Sequence, residues 1–143
     1  MLHNAADHAT ELTPAALETA YTEQLSSTIS SAGTDTVVSE TGLDADVIAA
    51  VANGDTAELA VTDAAAILAV SEETPDADAI IFELRDHILL GMTTAVLDVD
   101  TIAANVDLDL TGQEIQQAIE GRTEMTLAQL AAIQALIEGR MEQ

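Results

Sequence analysis

Acidic side chains outnumber basic ones so strongly in this chain that charge repulsion limits the folds it can adopt. Twenty-six Asp and Glu residues stand against three Arg and no Lys, which gives a formal net charge of −23. In dilute buffer such self-repulsion opposes a compact state. Apolar residues nevertheless make up 48% of the chain, more than a disordered acidic tail carries. The 143 residues therefore predict one compact domain or two very small ones.

Molar salt would remove most of this repulsion. There the Debye length falls to roughly 3 Å, so neighbouring carboxylates barely repel one another. The chain also has many Thr, an apolar content dominated by Ala, Val, Leu and Ile, one Tyr, one Phe and no Trp. Together with the absence of Lys, this composition looks like that of an extremely halophilic archaeal proteome. We therefore predict a halophilic protein.

The localisation is predicted from features that the sequence lacks. The stretch MLHNAADHATEL contains neither the basic region nor the apolar region of a secretory signal. The longest uninterrupted apolar run is Ala64–Val70, far short of the roughly 20 residues that span a bilayer. Cysteine is absent, which excludes disulfides, thiol nucleophiles and thiolate metal sites. The prediction is a dissolved cytoplasmic protein with no membrane association.

Capping residues and glycines divide the chain into about eight short helices, which predicts an all-α fold. The pairs Thr111 with Glu114 and Thr126 with Gln129 have the spacing of capping boxes. The predicted helix starts are Thr13-Pro14, Thr34 or Asp35, Asp44, Thr62, Thr74-Pro75, Asp100, Thr111 and Thr126. The predicted ends include Gly33, Gly42, Asn53-Gly54 and Gly121.

The pattern of helices then repeats along the chain. DTVVSETGLD at residues 35–44 aligns with DTIAANVDLD at residues 100–109 at a constant offset of 65, and apolar positions agree beyond it after small insertions and deletions. The run Ser71-Glu72-Glu73 separates the halves. We predict a mobile tail over 1–12 and two tandem four-helix units over 13–71 and 74–143, packed as one compact body.

Within each unit, two short helices joined by a tight turn outline a helix-turn-helix. The first unit resembles the Cro and lambda-repressor type through Val37, Val38, Gly42, Ile48 and Val51. The glycine allows positive φ in the turn, and the apolar residues fix the crossing of the two helices. The second unit departs from the pattern, because Asp107 falls at the turn position. The resemblance implies either a DNA-reading unit or a protein-docking unit.

Three longer stretches carry a second resemblance: PDADAI, LLGMTTAVLDVDTIA and EIQQAIEGRTEMTLAQLAAI. Through them most of the chain resembles an uncharacterised haloarchaeal family, a domain of unknown function. That family has no assigned activity, so the resemblance implies a lineage and no chemistry.

The third helix of the second unit carries the candidate DNA contacts. Gln113, Gln116 and Gln117 could pair with adenine edges in a major groove, and Arg122 could touch a phosphate. The alternative is a solvated helix face. Charge favours this alternative, because a DNA footprint needs clustered Lys and Arg, whereas two glutamates lie among the candidates.

The last predicted helix is a candidate protein interface, because it is apolar on more than one face. Such a stripe is typical either of an intramolecular core or of a docking surface. The residues concerned are Leu127, Leu130, Ile133, Leu136 and Ile137.

Histidine offers little for catalysis or metal binding. His87 follows Glu83 by four residues and could be a carboxylate-oriented base or, as we favour, part of a surface pair. No nucleophile or glycine-rich anion cradle accompanies it. His3 and His8 lie in the predicted tail without the Cys or third His that a zinc site would need. No enzyme activity, cofactor, metal or small-molecule substrate is predicted.

The sequence thus predicts a non-enzymatic regulatory protein that binds a protein partner or associates with itself. The alternative is a sequence-specific DNA-binding regulator that uses the second unit.

Overall fold

The structure is a computed structural model that describes residues 2–3 and 12–141. Eight helices form the described part of the chain, which confirms the all-α fold class. They are α1 Pro14–Ala32, α2 Thr34–Thr41, α3 Ala45–Ala52, α4 Val61–Leu68, α5 Ala77–Ala95, α6 Val99–Asn105, α7 Gly112–Ile119 and α8 Leu127–Met141.

The first three helices begin and end close to the predicted residues. Thr13 caps α1 by accepting a hydrogen bond from the Ala16 N–H at 3.2 Å. Gly42 takes the left-handed conformation between α2 and α3, with φ of 75°. The predicted cap of α2 at Thr34 or Asp35 is wrong, because both residues lie inside the helix and Gly33 precedes it.

The starts of α5 and α6 differ from prediction, because aspartates act as caps in place of the predicted residues. The Asp76 carboxylate accepts from the Ala79 N–H at 2.8 Å, so α5 does not begin at Thr74-Pro75. The Thr74 hydroxyl instead donates to the carbonyls of the preceding turn. Asp98 likewise caps α6, two residues before the predicted start.

Both predicted capping boxes are confirmed. In the first, the Glu114 N–H donates to Thr111 Oγ1 and the Thr111 N–H donates to the Glu114 carboxylate. The second has the same reciprocal bonds between Thr126 and Gln129. These local bonds satisfy N–H groups that the first helical turn leaves unpaired.

The longest helices pack around α8, which places the hydrophobic core between the two halves of the chain. α8 lies against α1 and α5, while α4 lies against the same two helices. A short antiparallel bridge joins the loops before α4 and α8: the Val61 N–H donates to the Met125 carbonyl at 2.7 Å, and the Leu127 N–H donates to the Leu59 carbonyl at 2.8 Å.

The described part of the predicted mobile tail is packed against this core. Leu2 is fully buried, and the Gln134 side-chain amide donates to the His3 carbonyl at 3.2 Å. The expectation of a free tail is therefore wrong at residues 2–3, because a leucine gains more from burial than from solvent exposure. His8 and the rest of residues 4–11 lie outside the described residues.

A polar pair sits inside the core where α1 meets α8. The Tyr21 hydroxyl donates to Gln134 Oε1, and Gln134 is only 1% exposed. Burial raises the pKa of the Tyr21 hydroxyl, with further contributions from Glu138 and Glu18. The two polar side chains of this pair thus satisfy each other inside the core.

Candidate protein-docking surface

The carboxylate of Glu120 binds two of the residues predicted to contact DNA. Gln113 and Gln116 are exposed and Gln117 is partly buried. Gln116 Nε2 donates to Glu120 Oε1 at 3.0 Å, and Arg122 Nε lies 3.2 Å from Glu120 Oε2. Glu120 therefore engages two of the four predicted contact residues and places negative charge where a DNA phosphate would have to approach.

The surroundings of Gln117 are also acidic. Gln117 borders a shallow cleft together with Glu114 and Glu124. A nucleic-acid surface is recognised chiefly by cations that meet its phosphates. The structure thus brings the predicted residues together on one side of α7, but among carboxylates.

The three arginines have different surroundings. Arg122 follows α7, and its side chain is 72% exposed. Arg140 donates to Asn105 Oδ1 at 3.3 Å, at the end of α6. Arg85 of α5 lies over Gly121 so closely that a Cβ there would collide with the guanidinium. No ion pair of Arg85 is found within the described ranges.

Most of the predicted interface on α8 belongs to the core. Its apolar residues face α1 and α5, which cover them within the same chain. Leu136 is partly buried, and the others are at most 2% exposed: Leu127, Leu130, Ile133 and Ile137. These four residues are therefore part of the intramolecular core and do not form an exposed docking surface.

The predicted pairing of His87 with Glu83 is wrong. His87 Nε2 lies 2.6 Å from Glu138 Oε1 of α8, while Glu83 Oε2 lies 3.7 Å from His3 Nδ1. The contact between α5 and α8 brings Glu138 closer to His87 than its own helical neighbour. In the part of the chain that the structure describes, no three His, Asp or Glu residues are arranged to hold a metal ion.

An exposed apolar surface on α5 is the feature that sequence reasoning missed. Phe82 is 70% exposed, Leu89 53%, Leu90 61% and Val96 89%. Phe82 and Leu89 are seven residues apart, so they lie on the same side of the helix. We call these four residues the α5 outer face. The side of α5 opposite to it carries the buried residues of the core.

A comparison with α1 shows how unusual this face is. Both helices have 19 residues, so each position of α5 has a counterpart in α1. Three outward positions of α5 correspond to Thr19, Ser26 and Ser27, and Val96 corresponds to Gly33. Thr19 and Ser27 are exposed, whereas Ser26 is partly buried and donates to the Val51 carbonyl of α3 at 3.5 Å. The corresponding positions are thus polar or glycine on α1 and apolar on α5. This contrast is the sequence signal that could have identified the surface.

Val96 adds local strain to the α5 outer face. It has φ of 56° and ψ of 52°, and it is the non-glycine residue with positive φ among the described residues. A β-branched side chain in this left-handed region costs roughly 1–2 kcal/mol. The left-handed conformation closes the end of α5, where the Val96 N–H donates to the Thr93 carbonyl and the Leu97 N–H donates to the Met92 carbonyl. These hydrogen bonds offset part of the cost, whereas the exposed Val96 side chain contributes little to that. Residues held in such conformations cluster at functional sites.

No single helix within the described ranges has both the length and the apolar content to cross a bilayer. The combined length and apolar content of α5 and α6 would suffice to cross a bilayer, but the two helices are bent by 87° relative to each other.

Comparison with known proteins gives one match. A family model described as a family of unknown function (DUF5791) matches residues 17–140, which is most of the chain. Neither a curated protein nor a solved structure matches the chain.

Proposed function

We propose that this chain is a non-enzymatic binding protein that pairs with a second copy of itself. The chain belongs to the DUF5791 family, whose function is unknown, so the proposal rests on the structure of the chain and not on a family activity. The pairing surface is the α5 outer face. The proposal keeps the predicted regulatory role and the predicted protein docking through a helix-turn-helix-like scaffold.

The contrast between α5 and α1 carries the proposal. Solvation of large apolar side chains is unfavourable by about 25 cal/mol for each Å² exposed. This chain has abundant polar residues and uses them at the same positions of α1, so nothing in the helix geometry demands apolar residues on α5. Several large exposed apolar side chains on one helix of an otherwise acidic protein are typical of an interaction site.

A second copy of the chain is the occupant that charge favours. The only exposed residue between Phe82 and Leu89 is Asp86. A basic partner would gain more from the carboxylate-rich remainder of the protein than from this apolar face. Two identical faces related by a two-fold axis instead match apolar surface with apolar surface. At molar salt, a Debye length of roughly 3 Å removes most of the repulsion between two acidic chains.

The size of the face predicts a weak pair. Stable interfaces bury roughly 800 Å² on each partner. Four exposed side chains along about 21 Å of helix, at 1.5 Å for each residue, supply less than that. The pair should therefore exchange with the monomer and depend on protein concentration.

Support for a non-enzymatic role comes from the arrangement of reactive side chains. His87 is occupied by Glu138, and the described carboxylates form no cluster suited to a metal. The predicted cytoplasmic and halophilic setting rests on the composition alone. It belongs to the proposal because pairing of such acidic chains requires high salt.

A duplication of four helices is part of the proposal. α3 and α7 each have eight residues, and their bounds differ by a constant offset. Val61 and Leu127, the first residues of α4 and α8, donate equivalent backbone hydrogen bonds to each other's loop. These correspondences support two related units, each with a helix-turn-helix-like pair of helices.

The DNA-binding alternative has less support. Glu120 engages Gln116 and Arg122, so a phosphate would have to displace it. Sequencing of DNA that is captured with the protein at native salt tests this alternative. An enriched motif that disappears in Arg122→Glu would favour DNA binding over pairing.

The pairing proposal is tested by giving α5 the residues of α1. The triple variant Phe82→Thr, Leu89→Ser, Leu90→Ser should elute as a monomer from a sizing column in molar KCl, where the unmodified protein elutes as a mixture. The control variant Gln113→Ser, Gln116→Ser changes exposed residues of α7 and should leave the mixture unchanged. Equal elution of the triple variant and the unmodified protein would exclude the α5 outer face as the pairing surface.

A further inference from the structure

A cavity of about 220 Å³ lies between α5 and the end of α7. Ile81, Leu84 and Ile88 line it from α5, and Ile119 lines it from α7. In the first half of the chain, the corresponding helices α1 and α3 pack directly against each other. The second half therefore leaves open an apolar space that direct packing closes in the first.

Two of the three cations of the chain line this cavity. They are Arg85 and Arg122, and no Lys exists elsewhere to share the role. Arg122 is occupied by Glu120, but no carboxylate lies within ion-pair distance of the partly buried Arg85 in the described part of the chain. In a protein with 26 acidic residues, an unpaired guanidinium beside an apolar cavity indicates that an anion from outside is its partner.

The lack of a side chain at Gly121 makes room for Arg85 in this position. The glycine has φ of 80°, and a Cβ on it would overlap the Arg85 guanidinium. The bare backbone of Gly121 thus leaves room for the guanidinium at the wall of the cavity. Arg85 differs in this respect from an arginine that extends freely into solvent.

We propose that this cavity binds a small amphipathic carboxylate, with the carboxylate on Arg85 and the hydrocarbon part against Ile81, Leu84 and Ile88. A guanidinium presents two parallel N–H donors that match a carboxylate. A contact of this kind survives molar salt, because the charges lie within the roughly 3 Å Debye length. High salt also strengthens burial of the hydrocarbon part when its anions are excluded from apolar surface.

The charge of the cavity favours a carboxylate over a phosphate monoester. Glu124 also lines the cavity, so a doubly charged head group would gain one cation and face one anion. A singly charged carboxylate needs only the one guanidinium. This site is distinct from the α5 outer face, so binding here goes beyond the proposed pairing and does not depend on it.

Calorimetric titration of the full chain in molar KCl tests the site with hexanoate, hexyl phosphate and hexanol. Hexanoate should bind most tightly. Arg85→Met should weaken hexanoate binding roughly ten-fold or more, and Arg85→Lys should weaken it less, because Lys keeps the charge but loses the two-donor geometry. Arg140→Gln should change the affinity by less than about two-fold, since Arg140 does not line the cavity and donates to Asn105 at the end of α6. Circular dichroism would verify that each variant folds.

Three results would overturn the site. The first is no binding of hexanoate up to its solubility limit. The second is equal binding of hexanoate to the unmodified protein and to Arg85→Met, and the third is binding of hexanol as tight as that of hexanoate. Tighter binding of hexyl phosphate would overturn the assignment to carboxylates. The comparison of the three probes uses the unmodified protein, so it decides the question even when a variant does not fold.

Discussion

Gly91 of α5 faces Ile137 of α8 so closely that a Cβ on Gly91 would lie 2.5 Å from Ile137 Cγ2. The absence of a side chain at this position lets the two helices approach at the centre of the core. Because α8 covers this side of α5, Leu89 and Leu90, which directly precede Gly91, lie away from α8 and remain exposed. The close approach and the α5 outer face are thus consequences of one helix packing.

Gly91→Ala should therefore destabilise the protein. Overpacking a core costs about 1–3 kcal/mol, and the gain in helix propensity returns about 1 kcal/mol, so a net loss of up to about 2 kcal/mol is expected. Gly139→Ala in α8 is the matched control, since a Cβ there meets nothing within 4 Å. Thermal unfolding in molar KCl should show a loss for the first variant and a small gain for the second. A gain in both would contradict the packing described here.

Val96→Gly should stabilise the monomer and weaken the pairing. Glycine removes most of the left-handed strain, so the free energy of unfolding should rise by about 1 kcal/mol. The same change removes an apolar side chain from the α5 outer face. Gly33→Val is the reverse change at the end of α1, where φ is 92°, and it should destabilise. For Val96→Gly, the free energy of unfolding would rise while the dimer fraction on a sizing column falls. A purely structural role for Val96 does not explain this combination.

The free energy of unfolding should fall at alkaline pH because Tyr21 is buried in its protonated form. Its pKa in the folded protein lies above the ordinary value of 10.0, chiefly because the hydroxyl is buried. The folded state therefore holds this proton more tightly than the unfolded state, so stability is full below pH 10 and falls as the pH rises further. Phenolate absorbance, which only this Tyr can produce, should appear together with unfolding. Appearance of phenolate while the helical signal is intact would contradict the burial of Tyr21.

The helical fold could be predicted because its signals are local. Thr13 and Thr111 cap helices through hydrogen bonds to residues three positions later, and such spacings can be read from sequence. The start of α5 could not be fixed, because Thr74 and Asp76 are both acceptable caps. The choice follows from Thr74 donating to the Leu68 carbonyl at the end of α4, because this hydrogen bond depends on how the loop between α4 and α5 folds back on α4.

The candidate site was harder to predict than the fold, because burial depends on which helices meet. Leu130 and Leu90 are both leucines in apolar stretches, yet one is fully buried and the other is 61% exposed. Their exposures differ because Leu130 lies on α8, which packs between α1 and α5, whereas Leu90 lies on the side of α5 that no other described helix covers. Likewise, Glu138 could not be assigned to His87 without knowing that α5 and α8 pack together.

Sedimentation equilibrium of the unmodified protein in molar KCl tests the pairing most directly. The account predicts an average mass that rises with concentration from 14.8 kDa toward twice that value, and a smaller rise in dilute salt, where the acidic chains repel one another. A mass that stays at 14.8 kDa at every concentration and salt level would contradict the account.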